Sequence, residues 1–416
     1  MTAAFHQLEA DNGLQIIGET NPAAHSVAVG FFVRTGSRDE TVPEAGVSHF
    51  LEHMVFKGSK KRKAEQLNQE LDLIGSSPNA YTSEETTVFY ASCLPRHMGR
   101  ALEVLSDIMR PALRAEDFTL EKKVILEEIG MYEDQPGDMV FDHARKLFFG
   151  EHPLGNSVLG STDSISALTR DQMADYFHRR YQTGNMVLAC AGNFDFVEFA
   201  KLAQKFCGKW PAGSPRRADI RQTAGNGEFN LRVDGRTTLQ HLIVMNAGPP
   251  AASPLRHAAD LVAMAIGDDS GSRMYWEMVD PGHADSATLS YREHEGTGVY
   301  YAAVECEPGK AQKNLDRVHK IIAKLQADGV TQEELDVART KLLSRMVRGS
   351  ESPMSRLMSL GNHWIYQRKH ISLEDEIRSY KKVNMHQVRQ LLDRYPFKRM
   401  TVQALGPGKK LKPVEQ

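Results

Sequence analysis

Cysteine is scarce: Cys93, Cys190, Cys207 and Cys306 are the only four in 416 residues, and no two are close in sequence. That argues against a disulfide framework or a thiolate zinc site, and fits a reducing compartment. Long apolar runs are missing too. No segment approaches the roughly 18 residues of a membrane-spanning helix, so no membrane partner is expected. The opening residues, MTAAFHQLEADNGLQ, lack both the basic start and the apolar stretch of a signal peptide. The expected location is therefore cytoplasmic. Charge of one sign is also lacking, with 51 basic against 53 acidic residues and a net charge of -2. Neither nucleic acid nor a membrane surface is expected as a partner on that balance.

A chain of 416 residues exceeds what one compact core usually organises, so two domains are expected. Residues 14–17 follow an Asn12-Gly13 turn as a short strand. Residues 25–35, rich in β-branched and aromatic side chains, read as a buried strand. Helical patterns cover 46–56, 64–74, 98–109, 115–132 and 170–181. Residues 79–92 read as one strand and 185–191 as another. The stretch 208–227 is rich in Gly, Pro, Ser and Arg and reads as a linker between domains 1–207 and 228–416. Beyond it the order of elements starts again. Strands are expected at 229–233, 239–246, 287–291, 299–305 and 400–404. Helices are expected at 255–266, 311–327, 332–348, 357–367 and 385–392. This is a repeat in element order rather than residue identity. The fold class that follows is α+β: two similar domains, each a mainly antiparallel sheet with helices.

The chemistry is concentrated in His49-Phe50-Leu51-Glu52-His53. On a helix, positions i, i+3 and i+4 share a face, so His49, Glu52 and His53 point one way while Phe50, Leu51 and Met54 can face a core. Two imidazoles one turn apart are a common pair of zinc ligands. Zinc makes water acidic near neutral pH, and a carboxylate on the same face can take its proton as general base. Surface histidines on an amphipathic helix are the plain alternative. A third ligand must come from another element. The acidic helix at 115–132 carries Glu121 and Glu128, seven apart and so on one face. Ile125, Ile129 and Tyr132 mark an apolar face next to Glu128. Glu128 is therefore the expected third ligand, and Glu121 a carboxylate that orients a histidine. His143 and His152 are nearby in sequence, but neither has a ligand-type neighbour at helical spacing. The basic run at 57–63 reads as a solvated loop.

The order His-x-x-Glu-His is the signature of the inverzincins. On GVSHFLEHMVFKGSKKR (46–62), NAYTSEETTVFYAS (79–92), EKKVILEEIGMYED (121–134), HPLGNSVLGS (152–161) and NMVLACAGNFD (185–195), the chain resembles the pitrilysin family. Within it, the short two-domain subgroup is nearest, as in the zinc-bearing subunit of mitochondrial processing peptidase. The resemblance spans nearly the whole chain. It implies a zinc endopeptidase with one Zn2+ per chain, two homologous domains facing each other as a clamshell, and a peptide substrate that adds as a strand to a sheet edge. It also implies that Asn79, Ala80 and Tyr81 meet the substrate backbone. Many family members carry an Arg-x6-Tyr pair in the second domain. The matching stretch here, MVDPGHAD at 278–285, has neither residue. A dimer is thus expected, in which a different homologous chain could complete the substrate site. A non-catalytic assembly subunit with a peptidase-like fold is the alternative function.

Overall fold

The structure, a computed structural model, describes residues 3–219 and 225–414. The chain forms two compact units: residues 1–130, 156–218 and 347–371 in the first, and 131–155, 219–346 and 372–416 in the second. The change at 218/219 falls within the stretch read as a linker, of which residues 220–224 lie outside the described part. The other four changes have no counterpart in a contiguous two-domain division.

The first unit opens with β1 (Ala4–Glu9), β2 (Gln15–Thr20) and β3 (Val27–Val33), then α1 (Val47–Val55) and α2 (Ala64–Leu73). It continues with β4 (Ser77–Thr82), β5 (Thr87–Cys93), α3 (Met98–Ile108) and α4 (Ala115–Glu133). The single strand expected at 79–92 is in fact β4 and β5 joined by a tight turn. Ser83 Oγ accepts the Thr86 N–H at 3.0 Å, and the Ser83 N–H reaches the Thr86 carbonyl at 2.8 Å. A serine side chain that closes its own turn breaks a run that is otherwise strand-like throughout.

The next helix, α5 (Pro136–Phe149), belongs to the second unit. The chain then returns to the first for α6 (Thr162–Ala167), α7 (Arg170–Arg180), β6 (Met186–Gly192) and α8 (Phe196–Cys207). The second unit takes up β7 (Phe229–Val233), β8 (Gln240–Gly248), α9 (Arg256–Gly267), β9 (Ser286–Glu293), β10 (Gly298–Cys306), α10 (Ala311–Asp328) and most of α11 (Gln332–Ser350). Then α12 (Pro353–Gln367) goes back to the first unit, before α13 (Leu373–Lys382), α14 (Met385–Arg394) and β11 (Thr401–Gly406) finish the second.

The first sheet has the order β1-β2-β6-β3-β5-β4 and the second β7-β11-β8-β10-β9. Apart from β1, the two orders are the same walk through the sequence. Each is antiparallel except for one parallel pair, β2–β6 and β7–β11. The repeat inferred from element order is thus a repeat of topology, and the α+β class holds.

β3 reads as unbroken apolar sequence because both of its faces are covered. Val27, Val29, Phe31 and Val33 join the main core with α1, α3 and α7, while Ala28 and Phe32 join a second cluster under α12. There Gly361 lets α12 approach: a Cβ at that position would lie 2.3 Å from the Phe32 ring. In the second unit α5 plays the same part, with Val140, Ala144 and Phe148 packed against Ile243, Met245 and Leu405.

Candidate metal centre

Helix α1 is held at its start by a carboxylate that precedes it. Glu40 accepts the N–H groups of Gly46 at 2.7 Å and Ser48 at 2.8 Å, which satisfies two donors at the helix N-terminus. Burial pushes the Glu40 carboxyl up to about 7 against those hydrogen bonds. Ser48 Oγ is 2.7 Å from the Tyr176 hydroxyl, which ties α1 to α7. The apolar side of α1, Phe50, Leu51, Met54 and Val55, is fully buried. Phe50 stacks on Phe118 of α4 with ring centroids 4.7 Å apart. That contact, with Ile125 and Ile129 buried on the same side of α4, sets α4 alongside α1.

The packing brings together the three residues expected to bind metal. His49 Nε2 lies 3.7 Å from Glu128 Oε1, and His53 Nε2 lies 3.7 Å from Glu128 Oε2. One donor atom from each of the three falls within 4.8 Å of the others, the only such group among the described residues. A tetrahedral zinc with bonds of about 2.0–2.1 Å sets its donors roughly 3.4 Å apart. Two imidazole nitrogens and a carboxylate gathered within 4.8 Å are a donor set of the kind that binds zinc. His49 is ready to act as a donor: burial, with a smaller contribution from His53, pulls its pKa down to about 4, so the ring is neutral at neutral pH. Glu128 is the open side of the group, with 41% of its side chain exposed.

Glu121 is where the acidic helix was expected to place it. Its Oε1 lies 2.9 Å from His53 Nδ1, and its side chain is 4% exposed. His49 has no such support: its Nδ1 is buried without a hydrogen-bond partner. Glu52, on the same face of α1, accepts a hydrogen bond from Thr82 Oγ1 at 2.6 Å. Burial raises the Glu52 pKa and the Glu128 charge adds to that, while the Thr82 hydrogen bond and His53 oppose it.

Asn79, Ala80 and Tyr81 lie on β4, an outer strand of the first sheet that pairs with β5 alone. The Ala80 N–H is turned away from that ladder and donates to its neighbour Asn79 Oδ1 at 2.8 Å. β4 ends at Thr82, beside Glu52.

Three residues of the site were not legible as such: Glu40, Thr82 and Lys57. The basic run is not uniformly solvated. Lys60, Lys61 and Lys63 are exposed, but Arg62 is bound by Glu70, Glu103 and Asp107, and Lys57 Nζ lies 2.5 Å from Glu121 Oε2. His143 and His152 are in the second unit, outside the donor group. No helix among the described residues is long and apolar enough to cross a membrane.

A helix-borne His-x-x-Glu-His, closed by a glutamate from a second helix on a two-unit α+β scaffold, defines the inverzincin class of site. The comparisons specify it further. Residues 15–162 match the model of Insulinase (Peptidase family M16), and residues 167–342 that of the Peptidase M16 inactive domain. The chain is 31% identical over 400 residues to an uncharacterized zinc protease of Mycobacterium leprae, covering 95% of this chain and 90% of that one. It is 30% identical to an uncharacterized zinc protease of Bacillus subtilis, covering 91% and 93%. The chain belongs to the insulinase family, peptidase family M16. Solved structures agree on the fold. A protease from Helicobacter pylori superposes with a TM-score of 0.91 at 20% identity, covering 98% of this chain and all of that one. A chain of complex III2 from Candida albicans superposes with a TM-score of 0.85 at 17% identity, covering 97% and 96%.

Proposed function

We propose that this chain is a zinc-dependent endopeptidase acting on short or unfolded peptides or leader segments. The observation that carries the reading is the convergence of His49, His53 and Glu128 on one point beside the carboxylate of Glu52. Those three would hold the ion. Zinc in that position supplies Lewis acidity, polarising a peptide carbonyl and making water acidic near neutral pH. Glu52 takes the proton of the attacking water on Oε1, since Oε2 is engaged by Thr82, and delivers it to the leaving amine nitrogen. The raised pKa of Glu52 suits a group that must hold a proton between two transfers. Glu121 keeps His53 in orientation. The substrate adds to the open edge of β4 and is read by its main chain, which tolerates varied side chains.

The reading extends to a dimer in which a different homologous chain supplies the Arg and Tyr contacts that residues 278–285 lack. The four unpaired, buried cysteines fit a cytoplasmic setting.

Glu52→Gln, with zinc content measured beside peptide cleavage, tests the function. The expectation is one zinc per chain in both proteins and cleavage by the wild type alone. A wild type that takes up no zinc, or that is as inert as the variant with every partner chain supplied, would instead mark an assembly subunit.

A further inference from the structure

The loop that leaves α1 is built to aim one side chain. Gly58 adopts φ +111°, where a Cβ would meet the Arg62 carbonyl at 2.4 Å. Its own carbonyl accepts the Ala112 N–H at 3.0 Å. Arg114 donates to the Lys57 carbonyl at 3.3 Å and to the Ser59 carbonyl at 2.6 Å. Ser59 Oγ donates to Asp107 at 2.6 Å and in turn accepts the Lys61 and Arg62 N–H groups. Side chains and backbone from outside the loop thus fix the main chain from the Lys57 carbonyl through Ser59. The result is that Lys57 Nζ sits 2.5 Å from Glu121 Oε2, whose other oxygen is 2.9 Å from His53 Nδ1.

Resting on the zinc reading above, we infer that Lys57 is a positioning residue of the metal centre, acting through Glu121 on His53. With Lys57 on one oxygen and His53 on the other, this buried carboxylate is held in one rotamer. Arg62, the arginine nearest to Lys57 in sequence, is committed to Glu70, Glu103 and Asp107. With Glu121 Oε1 as the acceptor, His53 donates from Nδ1. Its lone pair then lies on Nε2, the nitrogen that faces Glu128. Lys57 therefore sets which nitrogen His53 offers to a metal, without touching the metal or the substrate. The ammonium is ion-paired to one oxygen as a compact point charge, so arginine is the conservative replacement and methionine the neutral one.

The test is zinc affinity, measured by competition with a chromogenic chelator on the purified full-length chain. Circular dichroism checks the fold, and the visible spectrum of the cobalt-substituted protein reports on the ligands. Loss of an outer partner of a metal ligand weakens binding by about 10–100-fold, which is the expectation for Lys57→Met. Lys57→Arg should stay within a few-fold of wild type, and the cobalt spectrum should shift in Lys57→Met alone. In a Glu121→Gln background, Lys57→Met should add nothing further. Lys57→Met binding zinc as tightly as wild type would overturn the inference, and so would two fully additive losses. If Lys57→Met does not fold, Lys57→Gln is judged by the same criteria. A wild type without zinc would instead defeat the functional reading itself, so the two failures are distinguishable.

Discussion

Thr82 Oγ1 donates to Glu52 Oε2 at 2.6 Å, so the last residue of the outer strand is bonded directly to the carboxylate on the metal-site helix. Any strand that pairs with β4 is laid down next to that bond. Removing it should alter the base rather than the metal. Thr82→Val is expected to lower kcat about tenfold, the usual worth of a hydrogen bond to a charged group. Thr82→Ser should keep most of the rate, and zinc content should be unchanged in both. The hydrogen bond holds the Glu52 pKa down against burial. Its loss should therefore move the acid limb of the pH–rate profile to higher pH. A profile that stays in place, or moves to lower pH, would contradict this role.

The outward N–H of Ala80 is the donor a paired peptide would use, and Asn79 Oδ1 occupies it in the free chain. Ala80→Pro deletes that donor while leaving the metal residues alone. KM should rise about fivefold, in line with one main-chain hydrogen bond, with zinc content unchanged. Steady-state kinetics on a peptide long enough to reach past the metal would measure it. An unchanged KM would remove the basis for strand addition at β4.

Helix α12 is fastened to the first sheet by a buried ion pair. Arg356 Nη2 is 2.6 Å from Glu19 Oε2 on β2, and His370 Nε2 approaches the same oxygen at 3.4 Å. Burial by itself would raise the Glu19 pKa, yet the bonds from Arg356 and His370 hold it at about 2. The folded-state value lies below the unfolded one. The pair's contribution is therefore complete above about pH 4.5 and is lost as the pH falls toward 2. Arg356→Met strands the carboxylate and should cost about 3 kcal/mol at pH 7. Urea unfolding at pH 7 and pH 3 would show the variant losing less on acidification than the wild type.

Gly361 is the contact point of α12 on Phe32. Adding one methyl there places it 2.3–2.4 Å from three ring carbons. Gly361→Ala should gain a little helix propensity and lose more to the displaced ring. The expected net loss is about 1–3 kcal/mol, read as a lower melting temperature. A variant as stable as wild type would mean that the ring moves aside at no cost.

The candidate donor group was readable where its parts are local. His49, Glu52 and His53 occupy one helix turn, and helical spacing alone places them on one face. Glu128 could be chosen because Ile125 and Ile129 mark the buried side of its helix. Lys57 and Thr82 were not readable, because each matters through a partner distant in sequence, and Glu40 because it caps a helix from six residues before it with an ordinary carboxylate. The turn at Ser83–Thr86 was missed because threonines flank it and no Gly, Pro, Asn or Asp marks it, so only the serine side chain breaks the run. Helices α5, α8 and α13 were passed over, and α6 is too short to show a period. Which sheet each of α5 and α12 covers is invisible in sequence, because an amphipathic helix declares an apolar face but not what it lies on.

The exchange of α5 and α12 between the units governs the order in which the protein can be completed. Ala28, Phe32, Val187 and Ala189 of the first sheet are roofed by Leu357, Leu360 and Trp364. A ribosome making this chain releases the whole of that sheet long before its roof. For most of synthesis one face of β3 and β6 stays bare, and it is sealed only when all of the second sheet except β11 has been made. An early stop anywhere before residue 353 leaves an apolar sheet face open to aggregation. This protein commits late, and the first sheet keeps one face open until the chain is nearly finished.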